Sequence, residues 1–119
     1  MRYMLLIYGE EVVLTDAVRQ KCYRESAAVA NQLKSSGQYL ASAPLQTVAT
    51  ATTVRVRDGK RMVTDGPFAE TREQLGGFFM IEAKNLDEAI EIAGRIPGAS
   101  IGTIEIRPVI EVAELPAEQ

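Results

Sequence analysis

The sequence of 119 residues contains no histidine and one cysteine, Cys22. The first absence excludes Ser-His-Asp and Cys-His catalysis and any histidine-based metal site. It also removes the side chain that most readily carries protons near neutral pH. A single cysteine excludes an internal disulfide. No apolar run approaches the roughly 20 residues of a membrane-spanning helix. Met1–Tyr8 is apolar but short for a secretory signal, and Gly9-Glu10-Glu11 follows it instead of a small-residue cleavage site. The expected location is cytoplasmic, with no membrane partner. A basic excess is missing too: the net charge is −3. Nucleic-acid binding, which relies on a basic surface to neutralise phosphates, is therefore not expected.

What is present is ordinary for a globular protein, with 46% apolar and 24% charged residues. The length suits one domain, expected over residues 1–110, and a chain of this size buries roughly two-thirds of its unfolded surface. Residues 111–119 are expected to form a frayed tail or a strap over a neighbour.

The periodicity gives the elements in order. Residues 2–8 alternate with apolar side chains on both faces, as in a central strand covered on each side. Thr15 or Asp16 is a candidate N-cap for a helix over 15–36, whose stripe is Val18, Cys22, Val29, Ala30 and Leu33. Cys22 reads as a small apolar member of that stripe, or as a thiol that needs exposure and a cationic neighbour to react. Gly37 suits the position just past the helix. Tyr39–Ser42 is a short strand before Pro44, and 43–52 reads as a loop. Thr53–Arg57 and Lys60–Thr64 flank Asp58-Gly59, a strong hairpin signal. Arg55, Arg57, Lys60 and Arg61 on this hairpin are a solvated face or a patch for an anion. Gly77–Ala83 is apolar on both faces. Asn85 and Glu88 form a possible capping box for a helix over 86–96, which Pro97-Gly98 ends. Residues 101–106 make the last strand, with Ile104 and Ile106 on one side.

With the hairpin set aside, βαββαβ remains, the α+β ferredoxin-like arrangement. Both helices then lie on one face of the sheet. The other face is also apolar, and large bare patches are uncommon on monomers. A symmetric homodimer with facing sheets is therefore expected.

The most turn-rich charged stretch runs Asp65-Gly66-Pro67-Phe68-Ala69-Glu70-Thr71-Arg72-Glu73-Gln74-Leu75-Gly76-Gly77. Sites often sit on such segments. Asp65 either caps the Gly66-Pro67 turn or acts as a general acid or base in a cleft. Phe68 is a plug or a stacking ring. Arg72 pairs with Glu70 or Glu73, or binds a ligand carboxylate with its planar fork. Tyr3 is a half-buried aromatic or a pocket hydroxyl. Asp65, Glu70 and Glu73 are poorly suited to a metal, and no cofactor is expected.

Asp65–Phe78, with Met1–Tyr8, Arg95–Ala99 and Gly102–Val109, resembles the YCII-related (YciI-like) family in its DGPF-type form. The resemblance implies a ferredoxin-like subunit that dimerises into an α+β barrel. Members with a shared His–Asp pocket are suspected enzymes. Asp65 matches the Asp of that pair, and no residue here matches the His. Some DGPF-type proteins occur beside or fused to alternative sigma factors, which implies an accessory or sensing role, although no sigma-like region occurs here. Two functions follow as expectations: a dimeric small-molecule-binding or accessory module with a cleft near Asp65, or an isomerase- or lyase-type enzyme using Asp65 with Tyr3 or Arg72.

Overall fold

The computed structural model describes residues 1–11 and 14–112. Its elements are β1 (Arg2–Gly9), α1 (Asp16–Ser35), β2 (Tyr39–Pro44), β3 (Thr52–Arg57), β4 (Lys60–Asp65), β5 (Gln74–Glu82), α2 (Leu86–Arg95), α3 (Gly98–Ile101) and β6 (Thr103–Pro108). Four strands form one antiparallel sheet in the order β2-β5-β1-β6, and β3 pairs only with β4. With the hairpin omitted, this is the ferredoxin-like order expected from the periodicity. The tail expected over residues 111–119 lies, from residue 113 onward, outside the described residues.

The register shows why one face of the sheet is the core. Tyr3 lies opposite Ile81, Leu5 opposite both Phe79 and Ile106, and Ile7 opposite Ile104. Their alternation puts these side chains on the side that meets the helices. Leu33 of α1 and Ala89, Ile92 and Ala93 of α2 complete a cluster with them. Leu5, Leu33, Ile81, Ile92 and Ile96 are its largest fully buried side chains. Each contributes roughly 1.5–3 kcal/mol relative to exposure. On the opposite face Met4, Leu6, Tyr8, Phe78 and Met80 are only half-buried. Overall dimensions of 47 × 44 × 19 Å agree with a slab one sheet and one helix layer deep.

The local signals act as their chemistry requires. Thr15, not Asp16, caps α1: its Oγ1 accepts a hydrogen bond from the Val18 amide at 3.2 Å. At the other end, Gln38 N–H donates to the Leu33 carbonyl and Gly37 N–H to Lys34, closing a Schellman motif. The Asn85 side chain accepts from the Glu88 amide. Glu88 reaches one residue beyond a capping box, taking the Lys84 amide at 2.9 Å and the Gln38 side-chain amide at 3.1 Å. Asp58 and Gly59 both have positive φ, 53° and 76°, as a tight two-residue hairpin demands.

Some boundaries differ from expectation. β5 begins at Gln74, so Gly76 and Gly77 lie inside the strand. The β1 pairing steps from Gly77 to Leu75 between Ile7 and Tyr8, leaving Gly76 as the extra residue of a bulge. Pro97-Gly98 does end α2, but the chain then makes one more helical turn, α3. Ile101 belongs to that turn, and β6 starts two residues later than the alternation suggested. One turn of helix carries too little periodicity to be read in advance. The loop after β2 contains a 3-10 turn over Val48–Thr50.

Candidate functional site

The apolar stripe of α1 continues along the helix, but only its C-terminal half is packed. Val29, Ala30 and Leu33 are buried; Cys22 and Ser26 are half-buried, and Val18 is 38% exposed. Beneath the N-terminal half and the middle of the helix, from Arg19 to Ala30, lies a cleft of about 450 Å³. Its cause is side-chain size. Ser26, Ala27 and Ala30 line the helix wall, while Ser42, Ala43, Gly76 and Gly77 line the sheet wall. These residues are too small to meet across the gap. Ile7, Phe79 and Ile96 lie at its deep end, and Pro97, Gly98 and Ile101 from the α2–α3 junction complete it. Interiors are normally packed to crystal density, and a water occupies about 30 Å³ of liquid, so this is much more than a packing defect. It lies within the roughly 300–1,000 Å³ of ligand pockets, whose walls are also mostly apolar.

Few polar groups line the cleft, and several are already engaged. The Glu11 carboxylate accepts from the Val48 amide at 2.9 Å. The Ser42 hydroxyl is 2.7 Å from that of Tyr39. The Gln74 side-chain amide donates to the Thr71 carbonyl at 2.8 Å. Arg19 is held weakly, at 3.4 Å from Asp16, whose side chain is fully exposed.

The sequence-selected residues are dispersed. Tyr3 is 2% exposed in the core, its hydroxyl 3.7 Å from the Met1 sulfur. Asp65 ends β4 on the exposed hairpin, opposite Thr52. The turn after it is held by other groups: Gly66 N–H donates to the Ala51 carbonyl at 2.8 Å, and the Thr53 hydroxyl to the Gly66 carbonyl at 2.7 Å. Phe68 is 79% exposed. Arg72 pairs with Glu10 at 3.0 Å, not with Glu70 or Glu73, and so ties the stretch to the end of β1. None of these four residues lines the cleft. The signature enters it only with its final part, through Gln74, Gly76, Gly77 and Phe78. No group of three His, Cys, Asp or Glu side chains suited to a metal occurs among the described residues.

Arg19, Cys22, Tyr23 and Ser26 were not selected as site residues from sequence, although they line the cleft. The available signal was small residues on two segments, Ser26–Ala30 and Ser42-Ala43, that the topology sets opposite each other. An amphipathic stripe reads as core whether or not anything fills the space beneath it.

A ferredoxin-like domain with a cleft between its first helix and its sheet is the class that the geometry defines. The chain belongs to the YCII-related family, whose domain model matches residues 1–113. An uncharacterized protein of Rhizobium meliloti (strain 1021) is 36% identical over 124 aligned residues, covering 98% of this chain and 100% of the relative. Among solved structures, 5-chloro-2-hydroxyhydroquinone dehydrochlorinase (TftG) of Burkholderia phenoliruptrix, in complex with 2,5-dihydroxybenzoquinone, superimposes with a TM-score of 0.56. Its identity is 16%, with 92% of this chain and 94% of that chain covered, a likeness of fold. No helix of the described chain is long and apolar enough to cross a membrane.

Proposed function

We propose that the chain is a small-molecule-binding module of the cytoplasm, its ligand seated in the cleft beneath the N-terminal half of α1. The observation that carries this reading is the 450 Å³ of mostly apolar space kept open by small residues on both walls. The Asp65–Phe78 signature supports a place among DGPF-type members, and its Gln74, Gly76, Gly77 and Phe78 form part of the cleft wall. A thermal-shift screen against a metabolite library tests the reading. A true ligand at about 100 times its Kd adds roughly 2.7 kcal/mol of stability. Ser26→Phe, which fills the cleft from α1, should abolish that gain. A gain that survives Ser26→Phe would sink the assignment of this cleft.

The proposal includes a homodimer. The open sheet face carries Met4, Leu6, Tyr8, Phe78 and Met80, and the hairpin leaves Val54, Val56, Met62 and Val63 at 49–59% exposure. Two-stranded hairpins are marginal alone. A second copy would remove both surfaces from water and present Asp65 and Phe68 to a neighbour. Sedimentation equilibrium at micromolar concentration checks this, a monomeric mass being the adverse result. An accessory role toward a sigma factor rests on family analogy alone.

The fold shared with a dehydrochlorinase that holds a hydroxylated ring favours a second reading, an isomerase- or lyase-type enzyme using Asp65. Its requirement is turnover that Asp65→Asn abolishes while ligand binding persists. Asp65 stands outside the cleft of its own chain, and this ranks binding above catalysis.

A further inference from the structure

Resting on the cleft as the ligand site, we infer that its ligand is an apolar ring compound bearing a carboxylate, and that Arg19 anchors the charge. The cleft wall contains two charged side chains among the described residues, Glu11 and Arg19. One oxygen of the acidic one is engaged: Glu11 receives the Val48 amide, 37 residues away, which holds the carboxylate against the 3-10 turn. That bond leaves its charge in place, so an anion is anchored from the Arg19 side of the cleft. The basic one is held only weakly. The Arg19 side chain is 29% exposed, and its contact with Asp16 is 3.4 Å from a carboxylate that is itself fully solvated. Exposed pairs of this kind contribute little, so exchanging Asp16 for a ligand costs little.

Of the neutral polar groups, Gln74 spends a donor on Thr71, and Ser42 shares its hydroxyl with Tyr39. The Tyr8, Tyr23, Ser26 and Thr47 hydroxyls also line the cleft. Among the described residues its one cationic group is the Arg19 guanidinium, with several N–H donors and no acceptor. Such a group is complementary to an anion, and its planar fork matches a carboxylate through two parallel hydrogen bonds. The remaining walls are apolar: Ile7, Phe79, Ile96 and Ile101 accept a ring, and Tyr23 stands on the helix turn that follows Arg19. An uncharged ring gains only from the walls. A cationic ligand meets Arg19 as a like charge.

Titration calorimetry with naphthalene-2-carboxylate and its uncharged counterpart naphthalene-2-methanol tests the inference on the intact chain. The carboxylate should bind roughly tenfold or more tightly than the alcohol, the scale of a charge-assisted hydrogen bond. Arg19→Met should erase that preference, and Arg19→Lys should restore part of it. Added salt should weaken the carboxylate more than the alcohol. If both probes bind equally and Ser26→Phe abolishes both, the Arg19 anchor is wrong and the cleft stands as a site. If binding persists in Ser26→Phe, or neither probe binds at millimolar concentration, the inference falls together with the cleft reading.

Discussion

The two halves of α1 carry one apolar stripe under different conditions. Toward the C-terminus, Val29 and Leu33 meet a sheet rich in large side chains, Leu5 and Ile81 among them, and are buried, while Ala30 and Phe79 border both regions. Toward the N-terminus, Cys22 and Ser26 face Gly76, Gly77, Ser42 and Ala43, and a cleft stays open. Helical periodicity is the same in both halves; the opposing surface differs. One half of the helix therefore holds the fold together, and the other forms the roof of the cleft.

Substitutions can break this contrast. Leu33→Ala, at a fully buried position, should lower unfolding stability by about 2–5 kcal/mol in urea titrations. A loss below 1 kcal/mol would show that the C-terminal half is not the anchor. Gly102→Ala should cost roughly 1–3 kcal/mol, because a Cβ there would stand 2.1 Å from the Tyr8 carbonyl oxygen. Both groups are backbone, so neither yields easily, and the end of β1 beside the cleft would shift. Thr15→Ala removes the cap over the cleft-side half and should cost about 1 kcal/mol. Helix loss confined to the first turns, read by hydrogen exchange, would sharpen the comparison further. Cys22→Ala should cost less than about 1 kcal/mol, since the thiol is half-buried beside empty space. A cost as large as that of Leu33→Ala would mean that the cleft is filled in solution. Leu6→Glu, on the opposite sheet face, should change unfolding of the single chain least. It should nevertheless convert the proposed dimer to monomer by sedimentation, and a mass unaffected by it would move the interface elsewhere.

The elements were legible wherever the signal was local. Asp58-Gly59 named its turn because both positions need positive φ, and Gly37 named the end of α1 through the Schellman bonds. The βαββαβ order followed from strand alternation and helical spacing, but the core face did not, because Tyr3, Leu5 and Ile7 on one side of β1 and Met4, Leu6 and Tyr8 on the other are all apolar. The cleft was much less legible. The Asp65–Gly77 stretch drew attention through its turns and charges, yet Asp65, Phe68 and Arg72 lie on exposed surface. Only its last residues, Gln74, Gly76 and Gly77, reach the cleft. Arg19 and Ser26 looked like ordinary helix residues, because an emptied volume depends on two distant segments at once.

Chain chemistry alone settled the family, the order of strands and helices, the hairpin turn and the absence of histidine chemistry. Each of these depends on residue type or on spacing along one segment. Packing alone decided that the N-terminal half of α1 would stand over a cleft, that Arg19 would line it, and that Tyr3 would be sealed in the core. Those outcomes depend on which side chains meet across the layer between helix and sheet. Small residues facing small residues leave a space that neither segment specifies by itself.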